Sequence, residues 1–169
     1  MTVGIVMGSS SDAEIMDAAV QALREFDIPV EVRVLSAHRT PDDTIRFARE
    51  AKQNGKKVLI AGAGGAAHLA GVIAAATPLP VIGVPVALAN LEGLDSLLSM
   101  VQMPRGIPVA TVAINNSRNA GLLAIRILAL SDEGIADRLE SLREEMAAQV
   151  RAQDEALQKR YAQDPGDAG

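Results

Sequence analysis

The sequence predicts a three-layer α/β domain, a doubly wound parallel sheet with flavodoxin-like order and helices on both faces. Three observations carry this expectation. Five runs of strand length alternate along the chain with segments of helical period. Most of those runs are continuous in Val, Ile and Ala, as strands buried on both faces are. Small, polar or glycine-rich turns join strand to helix, the local chemistry of a βαβ chain.

Val3–Met7 is the first strand, followed by Gly8 and three consecutive serines. Ser11 and Glu14 match the capping-box pattern and open a helix to about Phe26, with Ile15, Ala18, Ala19, Leu23 and Phe26 on its apolar face. Pro29 to Leu35 alternates as a second strand. Thr40-Pro41 then starts a helix with a hydroxyl cap and proline at the first helical position. Asp42 and Asp43 suit the positive end of its dipole, and Gly55 ends it. Lys57 to Ala61 is strand three, and the turn Gly62 to Gly65 leads into a helix ending near Thr77. Pro80 to Pro85 is strand four, a helix follows near Ser96 to Gln102, and Ile107 to Ile114 is strand five. A helix from Ser117 to Leu130 completes one α/β body of residues 1–130.

The tail differs in kind. Ile135, Leu139, Leu142, Met146, Val150 and Leu157 form a narrow apolar stripe among many charges. A helix of roughly 30 residues is about 45 Å long at 1.5 Å per residue, which exceeds the width of the domain. The expectation is that residues 131–163 pack on a neighbouring subunit in an obligate oligomer, and that residues 164–169 are disordered.

Composition narrows the function. Apolar residues make up 49% of the 169, which fits a globular core. A net charge of −5 leaves no basic footprint for nucleic acid. The chain lacks cysteine, which removes disulfides and thiolate metal sites. The first residues have no basic leader and too short an apolar run for a signal peptide, so the expected setting is cytoplasmic. Val58 to Leu91 has no Asp, Glu, Lys or Arg, but three prolines and five glycines break it into strands and a helix. A buried parallel sheet explains it without a membrane.

Three turns carry chemistry. Gly8-Ser9-Ser10-Ser11-Asp12 offers hydroxyls and free N–H groups at a helix N-terminus, an anion site suited to phosphate, with Asp12 placed to accept from a ribose hydroxyl. Ser11 as a simple helix cap is the plainer alternative. Ser36-Ala37-His38-Arg39-Thr40-Pro41 sets a proton-transfer group beside a planar cation that binds phosphate with two donors. Gly62-Ala63-Gly64-Gly65-Ala66-Ala67-His68 lacks bulk, so a ligand can lie against its backbone; His68 either acts there or orients the loop. This third turn follows the third strand with no acidic residue about 20 positions on, which argues against a dinucleotide site. No phosphate-binding P-loop, nucleophile elbow or metal-ligand spacing occurs. The only aromatics are Phe26, Phe47 and Tyr161, which leaves nothing to stack on a flavin. No cofactor and no metal are expected.

At these residues the chain resembles the purine-biosynthetic family of N5-carboxyaminoimidazole ribonucleotide mutase, also called the catalytic subunit of phosphoribosylaminoimidazole carboxylase. The likeness runs from Val3 to Leu130. It rests on Met7-Gly-Ser-Ser-Ser-Asp12, Ser36-Ala-His-Arg-Thr-Pro41, Ala61-Gly-Ala-Gly-Gly-Ala-Ala-His-Leu69, Leu79-Pro-Val-Ile-Gly-Val-Pro85 and Asp95-Ser-Leu-Leu-Ser-Met-Val-Gln-Met-Pro104. The sequence departs from the commoner bacterial pattern at Ala13, where tryptophan is usual, at Ala70, where proline is usual, and in the turn Asn115-Asn116-Ser117-Arg118.

The resemblance implies a flavodoxin-like fold, a homo-octamer and a small ribonucleotide substrate without a cofactor. By position it implies Ser9, Ser11 and Arg39 at the 5′-phosphate and Asp12 at the ribose. Ser36, Ala37, Ala63, Gly64, Ala66, His68 and Leu69 would line the base and carboxylate pocket, with His38 as the acid and base. The reaction it implies moves a carboxylate from the exocyclic nitrogen to ring carbon C4 through retained carbon dioxide. A direct carboxylase and a non-catalytic nucleotide-binding module are the alternatives.

Overall fold

The computed structural model describes residues 1–162; the tail expectation for 164–169 lies outside them. The strands are β1 Thr2–Met7, β2 Val30–Val34, β3 Lys56–Gly64, β4 Val81–Val86 and β5 Ala110–Thr111. The helices are α1 Ala13–Arg24, α2 Pro41–Glu50, α3 Leu69–Ala76, α4 Leu94–Val101, α5 Ser117–Ala129 and α6 Glu133–Ala162. All strands pair in parallel in the order β2-β1-β3-β4-β5, the flavodoxin-like arrangement.

Side-chain alternation along the central strands divides the core in two. Ile5, Ile60 and Ile82 meet Met16, Leu23 and Ile125 from α1 and α5 on one face. Val6, Leu59 and Ala61 meet Ala48, Ile73 and Met100 from α2, α3 and α4 on the other. The sheet is thus a middle layer, and its strand C-termini open towards the three turns. Gly62 lets α1 approach this closely, since a Cβ there would stand 2.3 Å from the Met16 sulfur.

The structure corrects four local expectations. The buried face of α1 is Met16, Ala19, Val20 and Leu23, while Ile15 is only half-buried and Ala18 is exposed. Glu14, Asp17, Gln21 and Arg24 form one polar stripe along α1, and Ala18 lies on its flank, so the centre of the broad apolar face falls at Met16, Ala19 and Leu23. Ser11 forms no capping box with Glu14: a 3-10 turn over Ser10–Asp12 precedes α1, and Ser9 caps that turn instead. β3 extends through Gly64, beyond the expected Ala61. β5 is far shorter than Ile107 to Ile114, because Pro108 has no N–H to donate and the chain bends at Asn115, whose φ is +59°.

A buried lysine ties the edge of the sheet. The Lys56 side chain is 3% exposed, lies 5.2 Å over the Phe47 ring and pairs with Glu31 on β2 at 2.6 Å. The Lys56 ammonium, and secondarily Arg33, hold the Glu31 carboxyl below the usual carboxylate range. A depressed carboxylate contributes stability above its unfolded pKa and loses it as pH falls through the folded value. Because Glu31 is 40% exposed, the effect is screened. Glu31→Gln is expected to destabilise the fold at pH 7 by about 1–2 kcal/mol, mainly by leaving Lys56 unpaired. The gap to the parent protein should narrow as melting is followed down to pH 4.

The long helix α6 behaves as two segments. Ile135, Leu139 and Leu142 pack on the core beside α5, each worth roughly 1 kcal/mol. Arg138 donates to Asp27 Oδ2 at 2.9 Å and to the Glu25 carbonyl, and its guanidinium lies 5.1 Å over Phe26. Beyond this clamp the stripe meets solvent, with Met146 45%, Val150 63% and Leu157 51% exposed. No helix among the described residues is long and apolar enough to cross a membrane.

Candidate active site

The first turn follows β1. Gly8 N–H donates to the Gly62 carbonyl at 3.2 Å, which fixes this loop against β3. Ser9 is extended, and its hydroxyl accepts from Ser11 N–H at 3.3 Å and from the Ser11 hydroxyl at 2.9 Å. Ser11 Oγ also stands 3.2 Å from Oδ1 of Asp12, which is buried. Ser11 does not cap α1; its hydroxyl lines the cleft together with Ser9 and Asp12, linked to both.

The second turn closes on itself. Thr40 N–H donates to the Ser36 carbonyl at 2.9 Å, and Ser36 N–H donates to Thr40 Oγ1 at 3.0 Å. The Thr40 hydroxyl therefore secures the loop and does not cap α2. Arg39 leaves this turn across the cleft mouth: Nη2 donates to the Gly8 carbonyl at 2.8 Å, and Nε to Ser36 Oγ at 3.3 Å. One cation thus bridges turns one and two.

The third turn meets the second through its histidine. His38 Nε2 and His68 Nδ1 are 2.9 Å apart, with the rings edge to face at 84°. Two imidazole nitrogens at that distance share one hydrogen, so one ring donates and the other accepts. Sequence separation hides this pair, because the two histidines are 30 positions apart with α2 and β3 between them.

All three turns open on one cleft of about 450 Å³. Ser9, Ser11, Asp12 and Arg39 line one side of it. Ser36, Ala37 and His38 line it from the second turn, and Ala63, Gly64, Ala66 and Leu69 from the third. His68 stands behind His38 and not among the lining residues. Ala13 starts α1 at the surface and Ala70 is buried in α3; neither lines the cleft. Among the described residues no group of three or more His, Asp or Glu side chains gathers closely enough to hold a metal ion.

A fourth turn, after β4, was missed by sequence reading. It contributes Leu88, which lines the cleft and overhangs Gly64 and Gly65. Asn115 Oδ1 accepts from Ala87 N–H at 2.8 Å, which anchors the start of this turn. Asn116 caps α5, and Arg118 grips Glu25 with two bonds of 2.9 and 2.8 Å. In this unusual segment Asn115 is therefore the anchor behind the site, while Asn116 and Arg118 secure α5. The strand-end rule alone would have found Leu88, but an apolar residue gives no chemical signal.

The AIR carboxylase family model matches residues 2–149. An N5-carboxyaminoimidazole ribonucleotide mutase of Mycobacterium leprae is 60% identical over 93% of this chain and 92% of its own length. A phosphoribosylaminoimidazole carboxylase of Schizosaccharomyces pombe is 55% identical over 93% of this chain and 28% of its own. The crystal structure of Treponema denticola PurE superposes with a TM-score of 0.85 at 32% identity, covering 92% of this chain and 98% of that one. Matched in sequence and in fold over most of its length, the chain belongs to the AIR carboxylase family.

Proposed function

We propose that this chain is a mutase that moves the carboxylate of N5-carboxyaminoimidazole ribonucleotide from the exocyclic nitrogen to ring carbon C4, giving 4-carboxy-5-aminoimidazole ribonucleotide for purine (IMP) synthesis. The observation that supports it most is the meeting of the paired His38 and His68 with Arg39 and the serine turn in one cleft, in a chain so similar to a relative named for that reaction. The cytoplasmic setting follows from the same reading.

In this mechanism Ser9, Ser11 and Arg39 take the 5′-phosphate. Arg39 exchanges the Gly8 carbonyl for a charged acceptor, which strengthens each hydrogen bond it makes. Asp12 accepts from a ribose hydroxyl. Ser36, Ala37, Ala63, Gly64, Ala66 and Leu69 surround the base and carboxylate. Protonated His38 gives its proton to the carbamate nitrogen as the N–C bond breaks, which frees carbon dioxide and aminoimidazole ribonucleotide. The C4 carbon, made electron-rich by the ring's own amino group, attacks the carbon dioxide. Neutral His38 then takes the C4 proton and aromaticity returns, so one histidine acts twice and ends as it began. The substrate supplies its own electrons, so the transfer needs no cofactor. Holding both fragments in one cleft avoids the entropy cost of recombination, an advantage of several kcal/mol.

The carboxylase-named relative favours a second reading, direct carboxylation of aminoimidazole ribonucleotide. The two differ in their dependence on dissolved carbon dioxide. As a mutase the purified chain turns over N5-carboxyaminoimidazole ribonucleotide at a rate independent of added bicarbonate. Turnover only of aminoimidazole ribonucleotide, in proportion to bicarbonate, establishes the carboxylase reading instead.

The body of residues 1–130 carries this chemistry, and the distal face of α6 packs on a neighbouring subunit of a homo-octamer. An apolar stripe left in water along half of a long helix supports that assembly. Val150→Asp combined with Leu157→Asp should reduce the mass in light scattering to smaller species. A parent protein that already runs as a monomer overturns the assembly.

A further inference from the structure

A serine on α4 holds the cleft wall from behind. Ser96 has no solvent exposure, and its hydroxyl bridges two strand ends. Oγ accepts from Gly65 N–H at 2.8 Å and donates to the Val86 carbonyl at 2.7 Å. The bridge lies just past Gly64 and Val86, the last pair of the β3–β4 ladder. One turn later Ser99 Oγ, which donates to the Asp95 carbonyl at 2.7 Å, stands 3.4 Å from the Gly65 carbonyl. Both backbone polar groups of Gly65 are therefore in reach of α4.

Gly65 sets the course of the turn as far as His68. Its φ is +67°, and a Cβ there would come within 3.2 Å of Leu88, so neither backbone nor neighbours leave much freedom. Ala67 N–H closes on the Gly65 carbonyl and His68 N–H on the Ala66 carbonyl, both at 2.8 Å. Gly64 and Ala66 line the cleft on either side of Gly65, and His68 holds His38. The position of the small-residue wall and of the histidine pair is thus inherited from a peptide that Ser96 pins.

We infer that Ser96 is a positioning residue for carboxylate transfer: it fixes the turn Gly64 to His68 so that carbon dioxide freed from nitrogen stays for attack by C4. This rests on the mutase reading above. Removal of the hydroxyl leaves the Gly65 N–H and the Val86 carbonyl without their partner and frees the turn to move. A looser wall lets carbon dioxide escape, and the enzyme then releases aminoimidazole ribonucleotide in place of product.

The test tracks a carbon label. Substrate carrying a 13C carboxylate is converted in unlabelled buffer, and the fraction of carbon lost to solvent is compared with the fraction kept at C4. Ser96→Ala is expected to raise the lost-to-kept ratio roughly fivefold, the factor carried by about one net hydrogen bond. Ser117→Ala is the control: Ser117 is equally buried, with its hydroxyl donating to the Ile15 carbonyl on the opposite face of the sheet. It should lower melting while leaving the ratio at the parent value. If Ser96→Ala does not fold, Ser96→Cys keeps the side-chain shape in a slightly larger group that is a weaker donor and acceptor, and the ratio is read on that variant. A parent-like ratio in the Ser96 variant that folds overturns the inference. A parent protein that loses all its label overturns the retention step with it, whereas a parent with no turnover at all removes the mutase reading beneath both.

Discussion

His38→Asn is expected to lower kcat by about a thousandfold or more while leaving the melting temperature unchanged. General acid and base catalysis contributes about 10²–10⁴-fold per positioned group, and this histidine acts in two steps. Asparagine fits the space and forms hydrogen bonds, but it cannot carry a proton from nitrogen to carbon. His38 lies exposed on a turn secured by Ser36 and Thr40, so the fold does not depend on its ring. Substrate affinity, measured by calorimetry on the inactive variant, should stay within about threefold of the parent, since the phosphate contacts lie elsewhere. Full activity in His38→Asn removes the acid/base assignment.

Arg39→Ala is expected to raise KM about 10- to 100-fold with a smaller effect on kcat. A hydrogen bond to a charged partner is worth about 1.5–3 kcal/mol, and that loss falls on binding before any bond breaks. Arg39→Lys should recover only part of it. Lysine keeps the charge but lacks the planar fork that now reaches both the Gly8 carbonyl and Ser36 Oγ. Equal losses in kcat and kcat/KM, with KM unchanged, would move Arg39 from phosphate binding to the chemical step.

Parallel strands buried on both faces write themselves as apolar runs, and β1, β3 and β4 were legible in the sequence for that reason. The residues of the cleft were legible because open α/β sheets collect ligands at strand C-termini, and polar or glycine-rich turns mark those ends. What stayed hidden was set by contacts between distant residues. Three serines in a row do not say which one caps, and a 3-10 turn gave that task to Ser9. The apolar face of α1 is broad, and the packing against α5 centres its buried part on Met16, Ala19 and Leu23 and leaves Ala18 in solvent. The His38–His68 bond and the Ser96 bridge to Gly65 join residues 30 and 31 apart. Leu88 has no polar chemistry to draw attention to it, although it overhangs the third turn.

The most direct measurement is conversion of N5-carboxyaminoimidazole ribonucleotide by the purified chain without ATP or added bicarbonate, followed at ring carbon C4 by NMR. The carboxylate is expected at C4 at a rate well above the spontaneous reaction, and His38→Asn is expected to abolish its appearance there. Decay to aminoimidazole ribonucleotide at the buffer rate, with no carboxylate at C4, would contradict the mutase reading.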